Sequence, residues 1–577
     1  MSAIDVTFRL GGEAGQGVES SGAGFTKALV RAGLEALAVA DYMSRIRGGH
    51  NFFTIRASDR PVLATREHVH LLIALTGETV ARHVEHLVPG GVILCDETLS
   101  FDETVLQGKP VQLLRAPLVA IAEGEGDRVM ANTAALAIAA GLTGLELAPL
   151  LSVIADNFRK KGSAIVEQNT RVAQTAYTWA QERSGMCPWK LQARARSPRL
   201  TLSGSQAFAM GALAAGCKFV AGYPMTPATP VLEYMAQHAA AWGLVVKHAE
   251  SEIAAINMCV GAAHAGARAM APTSGGGFDL MTEGVSLAAM LEDPIVVYLA
   301  QRPGPATGLP TRTAQSDLFL ALHASHGEYA RIIMAPHTPE EAFCCAVRAF
   351  NLAEKYQCPV IVLSDEYLAA SIRGAEPQDF DVQHTPIQRG KLLSQEELDA
   401  LATYKRYALT EDGVSPRALP GMGPKALYFS TSDEHTEEGH ITEDPQLATA
   451  MAQKRLRKLE YIAAEMRPPL LYGPQEAELT FIGWGSSYGA IREAVDLLNA
   501  QGRAANMVHF VDLWPFPAQG ARQALAGAKR IVAVEGNATA QFAFLLQAHA
   551  GIVAQQKILK YDGRGFTPDY ILARLEA

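Results

Sequence analysis

The amino-acid sequence predicts an α/β protein, built from three α/β domains with mostly parallel sheets. Short apolar runs alternate with helical stretches through most of the chain, which indicates parallel strands joined by crossover helices. Several of these runs lead into a glycine-containing turn directly before a helix, as in GGEAGQG. A length of 577 residues provides for three to four domains at about 150 residues each.

The first predicted domain covers residues 1–185. Ile4–Leu10 has the pattern of a strand, GGEAGQG that of a turn and Val18–Ala32 that of a helix. Further short apolar runs predict parallel strands at Leu37–Ala40, Phe52–Ala57, Leu71–Leu75 and Val92–Cys95. Residues 186–199 are basic and contain proline, so we interpret them as a linker.

Two further domains follow the linker. Residues 200–375 repeat the strand–turn–helix pattern. Residues 376–470 are richer in charged residues and proline, and they predict an extended linker with one basic helix at Gln446–Met466. Residues 471–577 return to the α/β pattern, so we expect a third compact domain there.

The composition excludes several classes of protein. With 49% hydrophobic residues the chain has enough apolar side chains for large cores, and a net charge of −9 excludes a basic nucleic-acid platform. The first residues have neither the basic segment nor the apolar stretch of a signal peptide, and no apolar run reaches the roughly 18–20 residues of a membrane helix. We therefore predict a cytoplasmic protein without membrane or nucleic-acid partners.

The seven cysteines do not form a metal-binding pattern. None stands in a C-x-x-C pair, and their spacing fits neither zinc nor a ferredoxin-type cluster. Most lie in apolar surroundings, so we expect buried thiols that pack as small hydrophobic side chains. An iron–sulfur cluster that serves this protein would then belong to another chain.

The glycine loop GGEAGQGVESSG is a candidate anion site. Gly12, Gly15 and Gly17 lie between a predicted strand and a helix, where free backbone N–H groups bind phosphates. A dinucleotide site would need a third glycine where Ser20 stands, although Asp41 ends the second strand as a ribose-binding acid would. Three interpretations stay open: a dinucleotide site, a site for another phosphate ligand, and a structural turn.

Arg45 and Arg47 form a second candidate, in the segment DYMSRIRGGHNFF. Two arginines beside a Gly-Gly turn can clamp a phosphate or a carboxylate. Surface arginines are often only solvated, so both interpretations stay open from the residues alone.

The middle domain contributes a candidate pocket for an anionic substrate. AGYPMTPATP follows a predicted strand, and its prolines hold Tyr223, Thr226 and Thr229 in fixed orientations, unless the segment is only a rigid structural turn. Arg302 follows a buried strand, at the end where open α/β sheets bind ligands. Between these segments PTSGGGFDLMTEG predicts a triple-glycine turn.

Glu250 and Glu252 stand at the start of an Ala-rich helix. Acidic residues at a helix N-terminus stabilise the helix through its dipole. A structural role is therefore the simpler interpretation of either glutamate taken alone.

His435 and His440 lie in the polar segment TSDEHTEEGHITED. The segment matches neither an HExxH helix nor an EF-hand loop. We favour a polar loop with helix caps over a metal site.

Together these motifs resemble the α subunit of the 2-oxoacid:ferredoxin oxidoreductases, with a γ domain fused in front. The γ region carries GGEAGQG and DYMSRIRGGH, and the α region carries GYPMTPATP, ESEIAAINMCVGAAHAGARAMAPTSGGGFDLMTEG and QRPGPATGLPTRTAQSDL. The matches follow the family's order along nearly the whole chain, and the γ-before-α order is most similar to the two-subunit bacterial 2-oxoglutarate enzymes. The resemblance implies a Rossmann-like γ domain, a thiamine-enzyme pyrimidine-binding domain and a transketolase C-terminal-like domain.

The resemblance also implies separate roles for the residues of the middle domain. Glu252, and not Glu250, matches the glutamate that hydrogen-bonds the pyrimidine of thiamine diphosphate. Thr226 and Arg302 match catalytic residues that bind the substrate, the arginine on its carboxylate, with Tyr223 as a neighbour. Coenzyme A contacts are implied in the γ domain at Gly12, Gly15, Gly17, Arg45 and Arg47.

A partner subunit is implied by what this chain lacks. Thiamine enzymes bind the diphosphate and Mg²⁺ through Gly-Asp-Gly followed by Asn-Asn, and this sequence has no Gly-Asp-Gly. The resemblance implies that a β subunit supplies those residues, the magnesium and a [4Fe–4S] cluster. Thiamine diphosphate is then shared between the chains, coenzyme A is a co-substrate and ferredoxin takes the electrons. We expect an (αβ)₂ heterotetramer in which this chain alone is inactive.

The preferred 2-oxoacid and the direction of the reaction stay open. 2-Oxoglutarate is favoured, whereas pyruvate, a branched-chain 2-oxoacid or indolepyruvate would use the same α-carboxylate site. The second carboxylate of 2-oxoglutarate needs an additional cation, for which Arg45, Arg47 and His248 are candidates. The alternative outside enzymes is a catalytically silent, nucleotide-binding scaffold subunit, against which the intact Glu252 counts.

Overall fold

The computed structural model describes residues 4–42 and 49–575. By its internal contacts the chain divides into two compact units. Unit 1 consists of Met1–Ser203, Ala370–Pro377 and Phe566–Ala577, and unit 2 consists of Gly204–Ala369 and Gln378–Gly565.

The strands are numbered in chain order. Their bounds are β1 Asp5–Glu13, β2 Glu35–Asp41, β3 His50–Ser58, β4 Val69–Ala74, β5 Leu87–Asp96, β6 Gln112–Ala116, β7 Leu200–Ser203, β8 Phe219–Gly222, β9 Val245–His248, β10 Ala269–Thr273, β11 Ile295–Gln301, β12 Ile332–Met334, β13 Val360–Asp365, β14 Ile372–Ala375, β15 Leu470–Tyr472, β16 Leu479–Trp484, β17 Ala505–Phe510, β18 Asp512–Trp514, β19 Ile531–Glu535 and β20 Gln556–Leu559.

The α-helices are numbered in the same way. Their bounds are α1 Val18–Arg31, α2 Gly77–His83, α3 Leu118–Glu125, α4 Ala131–Leu142, α5 Leu147–Phe158, α6 Ser163–Gln181, α7 Gly204–Ala214, α8 Thr229–Trp242, α9 Glu252–His264, α10 Gly275–Met290, α11 Leu318–Leu322, α12 Pro339–Tyr356, α13 Glu366–Ala370, α14 Gln395–Ala400, α15 Pro445–Glu465, α16 Tyr488–Ala500, α17 Ala518–Leu525, α18 Gln541–Ala550 and α19 Pro568–Leu575. In the described part of the chain no helix is long and apolar enough to span a membrane.

Unit 1 contains an eight-stranded sheet in the order β6-β5-β4-β1-β3-β2-β14-β7. Strands β6, β5, β4 and β1 pair in parallel, and every pair from β1 to β7 is antiparallel. The prediction that residues 37–40 and 52–57 form parallel strands is therefore wrong. Only residues 42–49 connect β2 to β3, and a parallel crossover needs a connection of about a dozen residues or more.

The helices of unit 1 pack closely on this sheet and on each other. Phe25 of α1 meets Phe8 of β1 edge-on, with ring centroids 5.2 Å apart. Gly141 of α4 lies against α6, where an added Cβ would come within 2.7 Å of the Ala180 Cβ. The small residues Gly141 and Ala180 let the backbones of α4 and α6 approach one another.

Two short strands of unit 1 come from beyond the first predicted domain. β7 and β14 have four residues each, and they extend the unit 1 sheet on the β2 side. A four-residue strand has too few alternating positions for its sequence to indicate which sheet it joins. The segments 1–185, 186–199, 200–375, 376–470 and 471–577 stay a prediction about domain organisation.

Unit 2 contains two sheets that confirm the predicted α/β fold class. The seven-stranded sheet has the order β18-β12-β13-β11-β10-β8-β9, and all its pairs are parallel except that of β18 with β12. The five-stranded sheet has the order β15-β17-β16-β19-β20, and only β15 pairs in the antiparallel sense.

Three neighbouring strands of the seven-stranded sheet end at one edge. β8 pairs with β10 and β10 pairs with β11, all in parallel, so their carboxyl ends at Gly222, Thr273 and Gln301 face the same side. Open α/β sheets bind ligands outside this edge. The segments that follow these three strand ends therefore form the candidate site.

Candidate functional site

Arg302 lies directly after β11, and a closed loop follows it. All residues of β11 are buried. In the loop the Leu309 N–H donates to the Pro303 carbonyl oxygen at 3.0 Å. Gly308 has a φ of 53°, and a Cβ there would lie 1.8 Å from the same oxygen, so this turn needs glycine. The Arg302 Nη1 donates to the Thr226 carbonyl oxygen at 2.7 Å, which brings two predicted substrate-binding residues together.

The proline-rich segment after β8 is a turn that leads into α8. The Ala228 and Thr229 N–H groups both donate to the Met225 carbonyl oxygen, and Thr229 is the first residue of α8. Thr226 is half-buried within the turn, whereas Tyr223 is 41% exposed. The turn therefore holds Thr226 beside Arg302 and leaves Tyr223 open to solvent in the isolated chain.

Glu252 is the first residue of α9 and is buried. Ser251 caps this helix, and its hydroxyl accepts the Ala254 N–H at 3.2 Å. Glu252 is 4% exposed, and its Oε1 has no hydrogen-bond partner among the residues that the structure describes. Because an unsatisfied buried polar atom costs about 1–3 kcal/mol, this geometry favours an incoming hydrogen-bond donor. Glu250, two positions earlier, is exposed.

The three glycines at 275–277 form the first turn of α10, so the prediction of a triple-glycine turn is wrong. A Cβ on Gly277 would lie 2.7 Å from the Glu252 Oε1, and a Cβ on Gly284 would lie 2.5 Å from the Ile256 side chain. The glycines let α9 pack directly on α10, and this packing offsets the low helix propensity of glycine. The Glu252 carboxylate consequently lies against the backbone of α10.

Asp317 is a further member of the site, and sequence reasoning missed it. Its Oδ2 is buried and has no hydrogen-bond partner in the described part of the chain, and a Cβ on Gly275 would lie 2.7 Å from it. Burial raises the pKa of Asp317 to about 7, and the charge of Asp279 adds to this effect. The only sequence signal is its place in QSDL, at the end of the segment that begins with Arg302, and that signal does not distinguish it from a surface acid.

The charges of Arg302, Asp317 and Glu252 act on one another. Burial lowers the pKa of Arg302, while the negative charges of Asp317 and Glu252 raise it. One guanidinium thus stands among carboxyl groups that lie close enough to couple with it. Such an arrangement binds an anion at Arg302 and a hydrogen-bond donor at Glu252.

The glycine loop of unit 1 forms a closed turn between β1 and α1. Gly15 and Gly17 have φ angles of 94° and 72°, a region that favours glycine. The Gln16 Oε1 accepts the Glu13 N–H at 2.8 Å, and a Cβ on Gly12 would lie 2.5 Å from this oxygen. In the described residues no side chain caps the start of α1.

The structure describes only some of the remaining predicted features. Arg45 and Arg47 fall outside the described residues. His435 is buried with its Nδ1 on a backbone carbonyl oxygen, whereas His440 is exposed. Across residues 4–42 and 49–575 no three histidine, cysteine or acidic side chains are arranged to hold a metal ion. All cysteines except Cys344 are buried.

Protein-family models match most of the chain. The family described as pyruvate flavodoxin/ferredoxin oxidoreductase, thiamine diphosphate-binding, matches residues 210–454. Pyruvate ferredoxin/flavodoxin oxidoreductase matches residues 7–179, and the pyruvate:ferredoxin oxidoreductase core domain II matches residues 477–569. The 2-oxoacid:ferredoxin oxidoreductase 2 subunit alpha of Aeropyrum pernix is 32% identical over 97% of this chain and 96% of its own length. This chain belongs to the 2-oxoacid:ferredoxin oxidoreductase α subunits.

Two further relatives of this α subunit have narrower names. The 2-oxoglutarate synthase subunit KorA of Methanothermobacter thermautotrophicus is 33% identical over 64% of this chain and 96% of its own length. A solved structure of the Magnetococcus marinus 2-oxoglutarate:ferredoxin oxidoreductase, with 2-oxoglutarate, coenzyme A and succinyl-CoA bound, superimposes with a TM-score of 0.92 at 32% identity over 99% of both chains. The predicted family, its oxidoreductase class and its multi-subunit character are confirmed.

The residues of the α subunit fit one part of thiamine diphosphate. The buried Glu252 Oε1 needs a donor, and an aminopyrimidine ring can supply one. The described residues contain no group of three histidine, cysteine or acidic side chains arranged for a metal ion, and the sequence has no Gly-Asp-Gly. The buried Glu252 Oε1 therefore fits the pyrimidine end of the cofactor.

Proposed function

We propose that this α subunit works in a CoA-acylating 2-oxoglutarate:ferredoxin oxidoreductase. The reaction converts 2-oxoglutarate and coenzyme A to succinyl-CoA and CO₂ while two electrons pass to ferredoxin, or it runs in reverse. One observation carries this proposal: the likeness, at a TM-score of 0.92, to a structure described with 2-oxoglutarate, coenzyme A and succinyl-CoA bound. The name of the 2-oxoglutarate synthase relative supports the same substrate.

Arg302 and Thr226 are the residues we propose for the 2-oxoacid itself. An arginine presents a planar pair of donors that suits a carboxylate, and partial burial strengthens this charged interaction. The Thr226 carbonyl oxygen accepts from Arg302 and so helps to orient the guanidinium. The Thr226 hydroxyl is then the hydrogen-bond donor for the 2-oxo oxygen of the substrate. Tyr223 is the exposed neighbour of Thr226 on the solvent side of the same turn.

Glu252 is the residue we propose for the cofactor. Thiamine diphosphate, when bound, supplies the electron sink that 2-oxoacid decarboxylation requires. The buried Glu252 carboxylate would hold a proton shared with a pyrimidine nitrogen, since its Oε1 has no other donor in the described residues. Burial also keeps water away from this proton.

The second carboxylate of 2-oxoglutarate needs a further cation. His248 ends β9 and lies opposite Gly222 of β8, at the sheet edge from which Thr226 follows. Its side chain is exposed, so it stays a candidate together with Arg45 and Arg47.

The glycine loop of unit 1 is our candidate for coenzyme A. Gly12, Gly15 and Gly17 form a tight turn at the uncapped start of α1, which suits a phosphate group. Arg45 and Arg47 would supply positively charged groups that attract such a phosphate ligand.

The remaining parts of the active site belong to a partner. We propose that a β subunit holds Mg²⁺ and the diphosphate through Gly-Asp-Gly and Asn-Asn, and that it carries a [4Fe–4S] cluster that passes electrons to ferredoxin. The absence of Gly-Asp-Gly and of cluster-type cysteine spacing from this sequence supports the proposal. An (αβ)₂ heterotetramer is the assembly we expect.

The first prediction concerns the substrate. The complex of this chain with its partner is expected to turn over 2-oxoglutarate with a kcat/KM at least tenfold above the values for pyruvate and 2-oxoisovalerate, which corresponds to about 1.4 kcal/mol of discrimination. The measurement is CoA-dependent viologen reduction with each 2-oxoacid. The chain assayed alone is the control and is expected to be inactive. Equal or better turnover of pyruvate would contradict the proposal.

The second prediction concerns Arg302. Arg302→Met removes the charged partner of the substrate carboxylate, so KM for the 2-oxoacid is expected to rise by about 10- to 100-fold. Arg302→Lys keeps the charge without the planar donor pair and is expected to recover part of this loss. Steady-state kinetics of both variant complexes tests this. A normal KM in Arg302→Met would rule out the assigned contact.

A further inference from the structure

Asp317 is the N-cap residue of α11 but does not make the hydrogen bond that is typical of this position. An aspartate at an N-cap normally accepts a backbone N–H from the first turn. The Asp317 carboxyl is instead directed at Gly275, where a Cβ would lie 2.7 Å from Oδ2 and 3.2 Å from Oδ1.

Two glutamines bond the backbone around Asp317, so its side chain is not needed to cap α11, and its hydrogen bond is to the neighbouring Ser316 side chain. The Gln541 Oε1 accepts the Phe319 N–H at 3.0 Å, which is the bond that a capping aspartate would have made, and its Nε2 donates to the Ser316 carbonyl oxygen at 2.9 Å. The Gln301 Oε1 accepts the Asp317 N–H at 3.0 Å. The backbone on both sides of Asp317 is therefore held, and the buried Oδ2 of its carboxyl has no partner in the described part of the chain.

The backbone of Asp317 is connected to Arg302 through Gln301. Gln301 is the residue directly before Arg302, so the strand end that carries the guanidinium also holds the Asp317 backbone. The negative charge of Asp317 is the largest influence that opposes the effect of burial on Arg302, ahead of that of Glu252. A substrate carboxylate that binds Arg302 would have to share this one cation with Glu252 and with an ionised Asp317.

We propose that Asp317 is a positioning residue that controls Arg302: its protonated form leaves the guanidinium free for the substrate carboxylate, and its ionised form competes for it. The inference rests on the proposed function of Arg302. The charges that act on Asp317 are those of Asp279 on α10 and Arg302 after β11, the Ser316 side chain hydrogen-bonds it, and Gln541 on α18 is uncharged.

The sign of the pH dependence follows from these neighbours. Burial and Asp279 raise the pKa of Asp317 to about 7, whereas Ser316 and Arg302 lower it by less. Below this pH the carboxyl is neutral, and above it the added negative charge weakens the binding of a substrate anion. The KM for the 2-oxoacid therefore rises with pH, by at most about tenfold per pH unit for a single titrating group.

The experiment measures kcat and kcat/KM for the 2-oxoacid in the αβ complex, at saturating coenzyme A, over about two pH units on either side of the inflection. In the wild type kcat/KM is expected to fall above about pH 7 while kcat changes little. Asp317→Asn mimics the neutral form, so its KM is expected to stay at the low-pH value throughout. Asp279→Asn removes a charge that raises the pKa, so the inflection is expected to move to lower pH.

A difference infrared spectrum gives a second readout that does not depend on turnover. The wild-type complex minus Asp317→Asn is expected to show a protonated-carboxyl band that disappears above the inflection. An active Asp317→Asn complex that keeps the wild-type fall in kcat/KM would overturn the inference alone. Should Asp317→Asn not assemble, an inflection that is unmoved in Asp279→Asn overturns it equally. A wild-type complex that turns over no 2-oxoacid contradicts the proposed function and this inference together.

Discussion

Glu252→Gln is expected to lower kcat for 2-oxoacid oxidation by about 10²- to 10⁴-fold, the range that general acid–base groups contribute. The glutamine keeps the size of the side chain but cannot hold or release the proton that the proposed contact with the pyrimidine requires. Because Glu252 is 4% exposed, water has little access to replace the lost group. The measurement is single-turnover decarboxylation by the αβ complex.

The stability of the same variant separates a catalytic role from a structural one. The Glu252 Oε1 has no hydrogen-bond partner in the described residues, so the change to an amide breaks no hydrogen bond at that atom. We expect Glu252→Gln to keep the wild-type melting temperature and to assemble with its partner. Glu250→Gln is the matched control, since Glu250 is exposed and lies in the same Glu-Ser-Glu sequence. Equal losses of activity in the two variants, or full activity in Glu252→Gln, would refute the role.

Glu292→Ala is expected to lower the free energy of unfolding of unit 2 by about 3–5 kcal/mol, as when one partner of a buried ion pair is removed. Glu292 is fully buried, and its two carboxylate oxygens accept from Lys454 and Lys458 at 2.5 Å each. Both lysines lie on α15 and are buried as well. Without Glu292 their charges would be left in the interior with no partner at that position.

The pKa of Glu292 gives this cluster a pH dependence. Burial raises the pKa of its carboxyl, but the charges of Lys454, Lys458 and Arg406 lower it further, so that it lies well below its usual range. A carboxyl with a depressed pKa in the folded state stabilises the fold above its unfolded pKa, and this stabilisation is lost as the pH falls toward the folded value. The wild type is therefore expected to lose stability in acid more steeply than Glu292→Ala.

Urea unfolding of the free chain, followed by near-ultraviolet circular dichroism, measures both effects. The triple variant Glu292→Met, Lys454→Met and Lys458→Met replaces all three charges by apolar side chains, and it is expected to recover most of the stability. Glu78→Gln is the control for a surface pair, because Glu78 and Arg82 are about half exposed and such pairs contribute at most about 1 kcal/mol. A Glu292→Ala chain within 1 kcal/mol of the wild type would contradict the assignment.

The places of Glu252, Thr226 and Arg302 in the fold were predictable from local sequence, whereas the choice of Glu252 over Glu250 came from the resemblance to the family. Acidic residues at the start of an Ala-rich helix, a proline-rich turn after a strand and an arginine after a buried strand are each visible within about ten residues of the chain. Their meeting at one edge also follows from sequence, because the carboxyl ends of parallel strands face the same side of a sheet. The distance of 2.7 Å between the Arg302 Nη1 and the Thr226 carbonyl oxygen is the structural result of that rule.

Asp317 and Glu292 were not predictable, because their environments depend on distant parts of the chain. Gln541, which takes over the cap of α11, stands 222 residues from the N–H group that it accepts. Lys454 lies 162 residues from Glu292 in the chain. The sequence predicted its helix only as a basic helix within a linker. No local pattern reports which acid will be buried beside which base.

The sequence by itself determined the α/β class and the family, because helix and strand periodicity and short motifs are local properties of the chain. The tertiary structure decided which half of the unit 1 sheet is antiparallel, why α10 starts with three glycines and where Asp317 points. These depend on long-range backbone pairing, on the closest approach of two helices and on the removal of charges from water. The free energies of strand pairing, helix packing and charge burial all depend on residues that are far apart in the chain, so they are determined only in the complete fold.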